Sequence, residues 1–75
     1  MGAMARSLAS SRIRIDPEQI YFLKFILEAY DNLTIMSTVD RMEGLVELKY
    51  PPELEQDVLG IVRSMAQRLR LEEFV

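Results

Sequence analysis

Four groups of residues carry side chains and spacings from which chemistry could be built: Asp16 with Glu18 and Gln19, Ser37 with Thr38 and Asp40, Asp40 with Glu43 and Gly44, and Arg12 with Arg14. Asp16, Glu18 and Gln19 flank a proline at the start of an apolar run, where negative charge is favoured by the helix dipole and Asp suits the N-cap. Their structural role is cap and first-turn acid; the functional alternative is contact with a ligand amine. Ser37, Thr38 and Asp40 pair hydroxyls with an acid but have no base beside them, and strand hydroxyls commonly pair across a sheet. Asp40, Glu43 and Gly44 lack the ligand spacing and terminal glutamate of an EF-hand, so they read as a hairpin loop. Arg12 and Arg14 could meet phosphates, yet a neighbouring strand would bring Glu47 to them as an ion-pair partner.

Residue types missing from the chain exclude more than those present suggest. Histidine and cysteine are both absent. Without them there is no thiolate or imidazole ligand for zinc, no histidine base, no thiol nucleophile and no disulfide, which argues against an enzyme and for no cofactor. A net charge of −3 gives no general attraction for nucleic acid, although Arg6, Arg12 and Arg14 make the N-terminal end locally basic. No apolar run approaches the roughly 20 residues of a membrane span, and the N-terminus has no apolar core of a signal peptide. The expected location is the cytoplasm, with no membrane partner.

Seventy-five residues, 49% of them hydrophobic and 28% charged, predict one globular domain with a narrow stability margin. Residues 1–11 read as a flexible N-terminal segment, with Met1 to Ala3 left by cloning because a second methionine follows at Met4. The single domain is expected over 12–75. Alternation over Arg12, Ile13, Arg14 and Ile15 predicts a strand with both isoleucines inward. Asp16 and Pro17 start a helix expected to run to about Tyr30, with Gln19 reaching back as in a capping box, and Asp31-Asn32 ends it. Leu33 to Val39 and Leu45 to Tyr50 predict a hairpin around Arg41-Met42-Glu43-Gly44, pairing Val39 with Val46, Ser37 with Leu48 and Ile35 with Tyr50. Leu33, Ile35, Ser37 and Val39 would then face inward. Pro51-Pro52 stops that strand and opens a second helix through Leu54, Val58, Ile61, Met65 and Leu69, ending near Arg68. Gly60 in its middle suggests close packing against the Phe22 and Phe25 side. Leu71 to Val75 either frays or adds a short edge strand, and fraying is favoured.

The order βαββα, with room for that last strand, predicts an α+β two-layer sandwich whose first strand lies beside the third. At 100° per residue the first helix is apolar over roughly 220°, more than one covering sheet can bury. Ile20, Leu23, Ile26, Leu27 and Tyr30 are expected inward. Tyr21, Phe22, Phe25 and Ala29 are the candidate interface for a homodimer or a partner protein.

The runs IDPEQIYFLKFILEAYDNLTIMSTVD and GLVELKYPPE resemble a small uncharacterised bacterial family, the domain of unknown function numbered 4911, over about residues 12 to 68. The layout also resembles the ACT domain, a ferredoxin-like regulatory module. That resemblance implies self-pairing and a small-molecule effector such as an amino acid near the first strand-to-helix turn, at Asp16, Glu18 and Gln19. ACT ligand turns carry a glycine where Glu18 and Gln19 stand here, so the resemblance supports fold and dimer better than effector binding. RNA-binding domains of this layout stack bases on exposed strand aromatics; the equivalent positions here are Arg12, Arg14, Leu45, Glu47 and Lys49. The leading expectation is a non-catalytic domain that self-associates or docks on a partner.

Overall fold

Two proline-started helices lie on one face of an antiparallel sheet. A computed structural model describes residues 8–30 and 34–74. The elements run β1 (Ala9–Arg14), α1 (Ile20–Glu28), β2 (Ile35–Asp40), β3 (Leu45–Tyr50), α2 (Glu55–Ser64), α3 (Ala66–Leu69) and β4 (Glu73–Phe74). The sheet is four-stranded in the order β2-β3-β1-β4, and every neighbouring pair is antiparallel. This α+β arrangement is compatible with a ferredoxin-like two-layer sandwich, and the first strand does lie beside the third.

Both crossovers enter their helices through a proline-led 3-10 turn, Pro17–Gln19 and Pro52–Leu54. In the first, Asp16 caps as expected: its Oδ1 accepts the Glu18 backbone N–H at 2.9 Å. Gln19 does not close a capping box. It sits at φ −98°, ψ 2°, with no side-chain cap bond, because the first turn is 3-10 and Gln19 itself precedes the α-helix.

Antiparallel partners share a face, so the register assigns the core. Ile13 opposite Val46 and Ser11 opposite Leu48 point toward the helices. There they join Ile15, Ile20, Leu23, Leu27, Tyr50, Val58, Val62 and Leu69, all buried. The Tyr50 hydroxyl enters this core without loss, sharing a 2.6 Å hydrogen bond with Ser11 Oγ and donating to Glu55 Oε2 at 3.2 Å. Replacing Leu48 with Ala in so closed a core would cost roughly 2–5 kcal/mol. On the open face, Arg12 lies opposite Glu47 and pairs with it at 3.3 Å, the ion pair the sequence suggested.

Several expectations are corrected. β1 begins at Ala9, so residues 9–11 belong to a strand rather than to a flexible segment; Ala9 packs against the core and Ser11 holds Tyr50. The β2–β3 register differs by one residue: Ile35 lies opposite Lys49, Met36 opposite Leu48 and Ser37 opposite Glu47. A one-residue slip exchanges the faces of a strand, so Met36 packs against the core while Ile35 and Val39 are exposed. The cause is a bulge between Thr38 and Asp40 that inserts Val39 as an extra residue before the turn. Tyr30 is exposed because α1 stops at Glu28, so the helical position assigned to Tyr30 does not exist. The expected helix stop at Asp31-Asn32 and the inward Leu33 lie outside the described residues.

The second helix divides at Met65, and α3 ends in a Schellman arrangement. Leu71 N–H donates to Ala66 O at 2.9 Å and Arg70 N–H to Gln67 O at 3.2 Å, with Arg70 left-handed at φ 55°. That turn sends the chain back along β1, where Glu72 N–H reaches Arg14 O at 2.8 Å and β4 forms. The favoured fraying of the tail therefore gives way to a short strand. Gly60 is no packing notch either: it is exposed, and a Cβ built there meets nothing within 4 Å.

Candidate interaction surface

The outward flank of α1 and the free edge of β2 form one continuous, partly apolar surface. Tyr21 and Phe25 are 65% and 68% exposed, and one turn apart they lie side by side. Lys24 and Glu28 share that flank, and together with Leu27 they line an open crevice against Thr34 and, from the edge strand, Ile35 and Met36. A second shallow depression joins Pro17, Glu18 and Tyr21 to Arg41 and Met42 of the hairpin loop. Arg41 holds the two elements together: its Nη1 donates to the Tyr21 hydroxyl at 3.3 Å, and its guanidinium lies 5.3 Å from the ring centroid. The hydrogen bond and the positive charge of Arg41 hold the Tyr21 phenol below its ordinary value, with desolvation opposing and Lys24 adding to the shift.

The loop that presents Met42 depends on Gly44. Gly44 is buried at φ +71°, and its O accepts the Ile15 N–H at 2.9 Å. Asp40 Oδ1 accepts the Glu43 N–H at 3.1 Å, and Glu43 Oε1 meets Arg14 at 2.8 Å, so this acidic pair serves the turn.

The other sequence candidates fall in three places. Phe22 is half-buried against the core, with the Arg68 guanidinium 4.2 Å from its ring centroid, while Ala29 is exposed near the end of α1. Asp16 caps with Oδ1, receives Gln19 N–H on its backbone O at 2.8 Å and lies 3.8 Å from Arg70 through Oδ2. Glu18 is exposed beside the Tyr21 depression and Gln19 is half-buried. The structure thus brings Glu18 next to Tyr21 and keeps Asp16 in the crossover. Ser37, Thr38 and Asp40 are exposed along β2, and Arg14 is taken up by Glu43 and Glu73. Hydrogen bonding to Glu73 raises the Arg14 value against an opposing desolvation, with Glu43, Glu73 and Glu72 adding to it.

Sequence reasoning missed Ile35, Val39, Arg41 and Met42. The first two were assigned inward, and a bulge leaves no local composition mark. The available signal was negative: within IMSTVD no lysine or proline guards an edge.

Residues 13–68 match the family described as Domain of unknown function (DUF4911). The chain belongs to that family. The DUF4911 span includes α1, β2 and the hairpin, and so the whole of the surface just described, while β4 lies beyond it. No curated protein and no solved structure matches the chain. The family description names no catalysis. Among the described residues there is no group of three or more Asp or Glu placed to hold a metal ion, and no helix is long and apolar enough to cross a membrane.

Proposed function

We propose that this DUF4911 domain is a non-catalytic module that works by self-association through the α1 flank and the β2 edge. One observation carries the reading: of the eight large hydrophobic residues exposed among the described residues, four, namely Tyr21, Phe25, Ile35 and Val39, belong to these adjoining elements, and a fifth, Met42, lies in the hairpin loop beside Tyr21. Concentrated exposed apolar area on a small domain marks an interaction site. The rest of the surface offers less. The open sheet face is laced by Arg12–Glu47, Arg14–Glu43 and Arg14–Glu73 pairs, and the outer side of α2 exposes Gln56, Asp57, Gly60, Arg63 and Ser64.

Sedimentation equilibrium across micromolar to millimolar protein tests the reading. The expected result is a dimer, converted to monomer by Phe25→Glu with the thermal midpoint of the dilute protein unchanged, since Phe25 touches little of its own chain. A monomer throughout the range, with Phe25→Glu indistinguishable from the parent, refutes it. Effector binding at Asp16, Glu18 and Gln19 gains less support, because one Asp16 oxygen caps the turn and the other faces Arg70.

A further inference from the structure

Burial sorts the sulfur atoms of this domain. The chain has no cysteine and five methionines, of which Met36, Met42 and Met65 fall among the described residues. Met36 and Met65 pack against the core. Met42 is 85% exposed, more than any other large hydrophobic residue described. The turn keeps it there: Asp40 Oδ1 accepts the Glu43 N–H at 3.1 Å, and Gly44 N–H donates to Arg41 O at 3.3 Å. A dissolved oxidant therefore reaches the Met42 thioether without any opening of the fold.

The surroundings give its oxidation a consequence. Met42 shares a shallow depression with Pro17, Glu18, Tyr21 and Arg41. Arg41 holds Tyr21 only loosely. Its Nη1 reaches the phenol oxygen at 3.3 Å, longer than the usual N–H···O separation of about 2.9–3.0 Å. Its guanidinium lies 5.3 Å from the ring centroid, toward the outer limit of about 6 Å for cation–π attraction.

We infer that Met42 is a modification site for hydroperoxides, and that its sulfoxide oxygen draws the Arg41 guanidinium away from Tyr21. A sulfur lone pair attacks one peroxide oxygen, and the S–O bond forms as the O–O bond breaks. With hydrogen peroxide, the departing hydroxide takes the proton of the transferred oxygen and leaves as water. Sulfur gives up two electrons and the peroxide takes them, so no further reactant is needed. The product replaces a weak thioether acceptor with a polar S–O group. That acceptor stands one residue from Arg41, and a cation bonds a strong dipole more tightly than a phenol already at long range. Each step is read in the dilute protein, so the inference is independent of self-association.

Trypsin separates the three methionines, because Lys24, Arg41, Lys49, Arg63 and Arg68 place them on different peptides. Under hydrogen peroxide, mass spectrometry of those peptides is expected to show Met42 gaining an oxygen about five times faster than Met36 or Met65. With the peroxide removed, the alkaline midpoint of Tyr21, taken as the difference from Tyr21→Phe, is expected to rise toward that of Arg41→Ala. Met42→Gln, which offers a carbonyl acceptor at the same place, is expected to raise it without oxidant. Met42→Leu given the same peroxide treatment is expected to leave it unchanged. Equal oxidation rates at the three methionines overturn the site. A midpoint that stays put with Met42 fully oxidised, or that moves as far in Met42→Leu, overturns the capture of Arg41.

Discussion

The side of the domain bearing β4 is closed by specific contacts, and the side bearing β2 is not. On the first, Asp16 N–H donates to Leu69 O, Glu72 N–H to Arg14 O, and Arg68 and Arg63 lie over Phe22 and Phe74. These contacts tie together three segments distant in sequence. On the second, Tyr21, Phe25, Ile35, Val39 and Met42 are exposed, and Arg41 makes a polar link across the gap to Tyr21. The difference separates residues spent on holding the fold from residues left over for something else.

The joint between the two sides is Gly44, and breaking it should have the largest effect. A Cβ at Gly44 would fall 1.8 Å from Ile15 O while the backbone holds φ +71°. Gly44→Ala therefore combines left-handed strain of about 1–2 kcal/mol with overpacking of about 1–3 kcal/mol. Chemical denaturation should register a loss of about 3 kcal/mol, a large share of what so small a domain holds. Retention of parental stability would mean that the hairpin and the first crossover are not coupled, and the two sides would then have to be treated as independent.

The same division explains what could be read from the sequence. The β1–β3 pairing, the Asp16 cap and the Gly44 turn follow from residues whose chemistry admits few alternatives: alternating isoleucines, a cap before proline, a glycine closing a four-residue loop. The register of β2 does not, because Ile35, Met36 and Val39 are apolar on both faces and alternation alone cannot show that Val39 is an added residue. β4 was hidden for another reason. Its direction is set by Arg70 in a left-handed conformation that favours glycine or asparagine, and nothing in LRLEEFV announces that an arginine will adopt it. Tyr21 and Phe25 are legible as surplus apolar area on α1; Ile35 and Val39 are not, since they belong to the strand whose register alternation leaves open.

A smaller change sharpens the contrast between outer surfaces. Gly60 is an exposed helix-interior glycine with open space around its absent Cβ. Gly60→Ala should add about 0.5–1 kcal/mol of stability by lowering the entropy lost on folding. Because α2 lies outside the proposed interface, the association constant measured by sedimentation should be unchanged. Phe25→Glu should do the reverse, leaving the stability of the dilute protein and removing association. If Gly60→Ala instead weakened the dimer, the helix face around Gly60 would replace the α1 flank as the contact.

The smallest effect is the most local, and it reports on the exposed side directly. The Arg41 hydrogen bond and charge hold the Tyr21 phenol below its ordinary 10.0. The native state therefore favours the phenolate, and the stabilisation this link gives is present above the unfolded value and lost as pH falls through the lower folded one. At neutral pH Tyr21 is protonated in both states and contributes no such term. An alkaline titration of the dilute protein, read as the difference from Tyr21→Phe so that Tyr30 and Tyr50 cancel, should show a midpoint below 10 that Arg41→Ala returns to the ordinary range. In the dimer the same phenol leaves water, and desolvation disfavours its charged form. Its midpoint should then rise with protein concentration, and alkaline pH should dissociate the pair. A dimer whose Tyr21 titrates identically at every concentration would place that residue outside the proposed interface, and the exposed side of the domain would have to be divided again, with Phe25 and the β2 edge on one part and the Tyr21–Arg41 contact on the other.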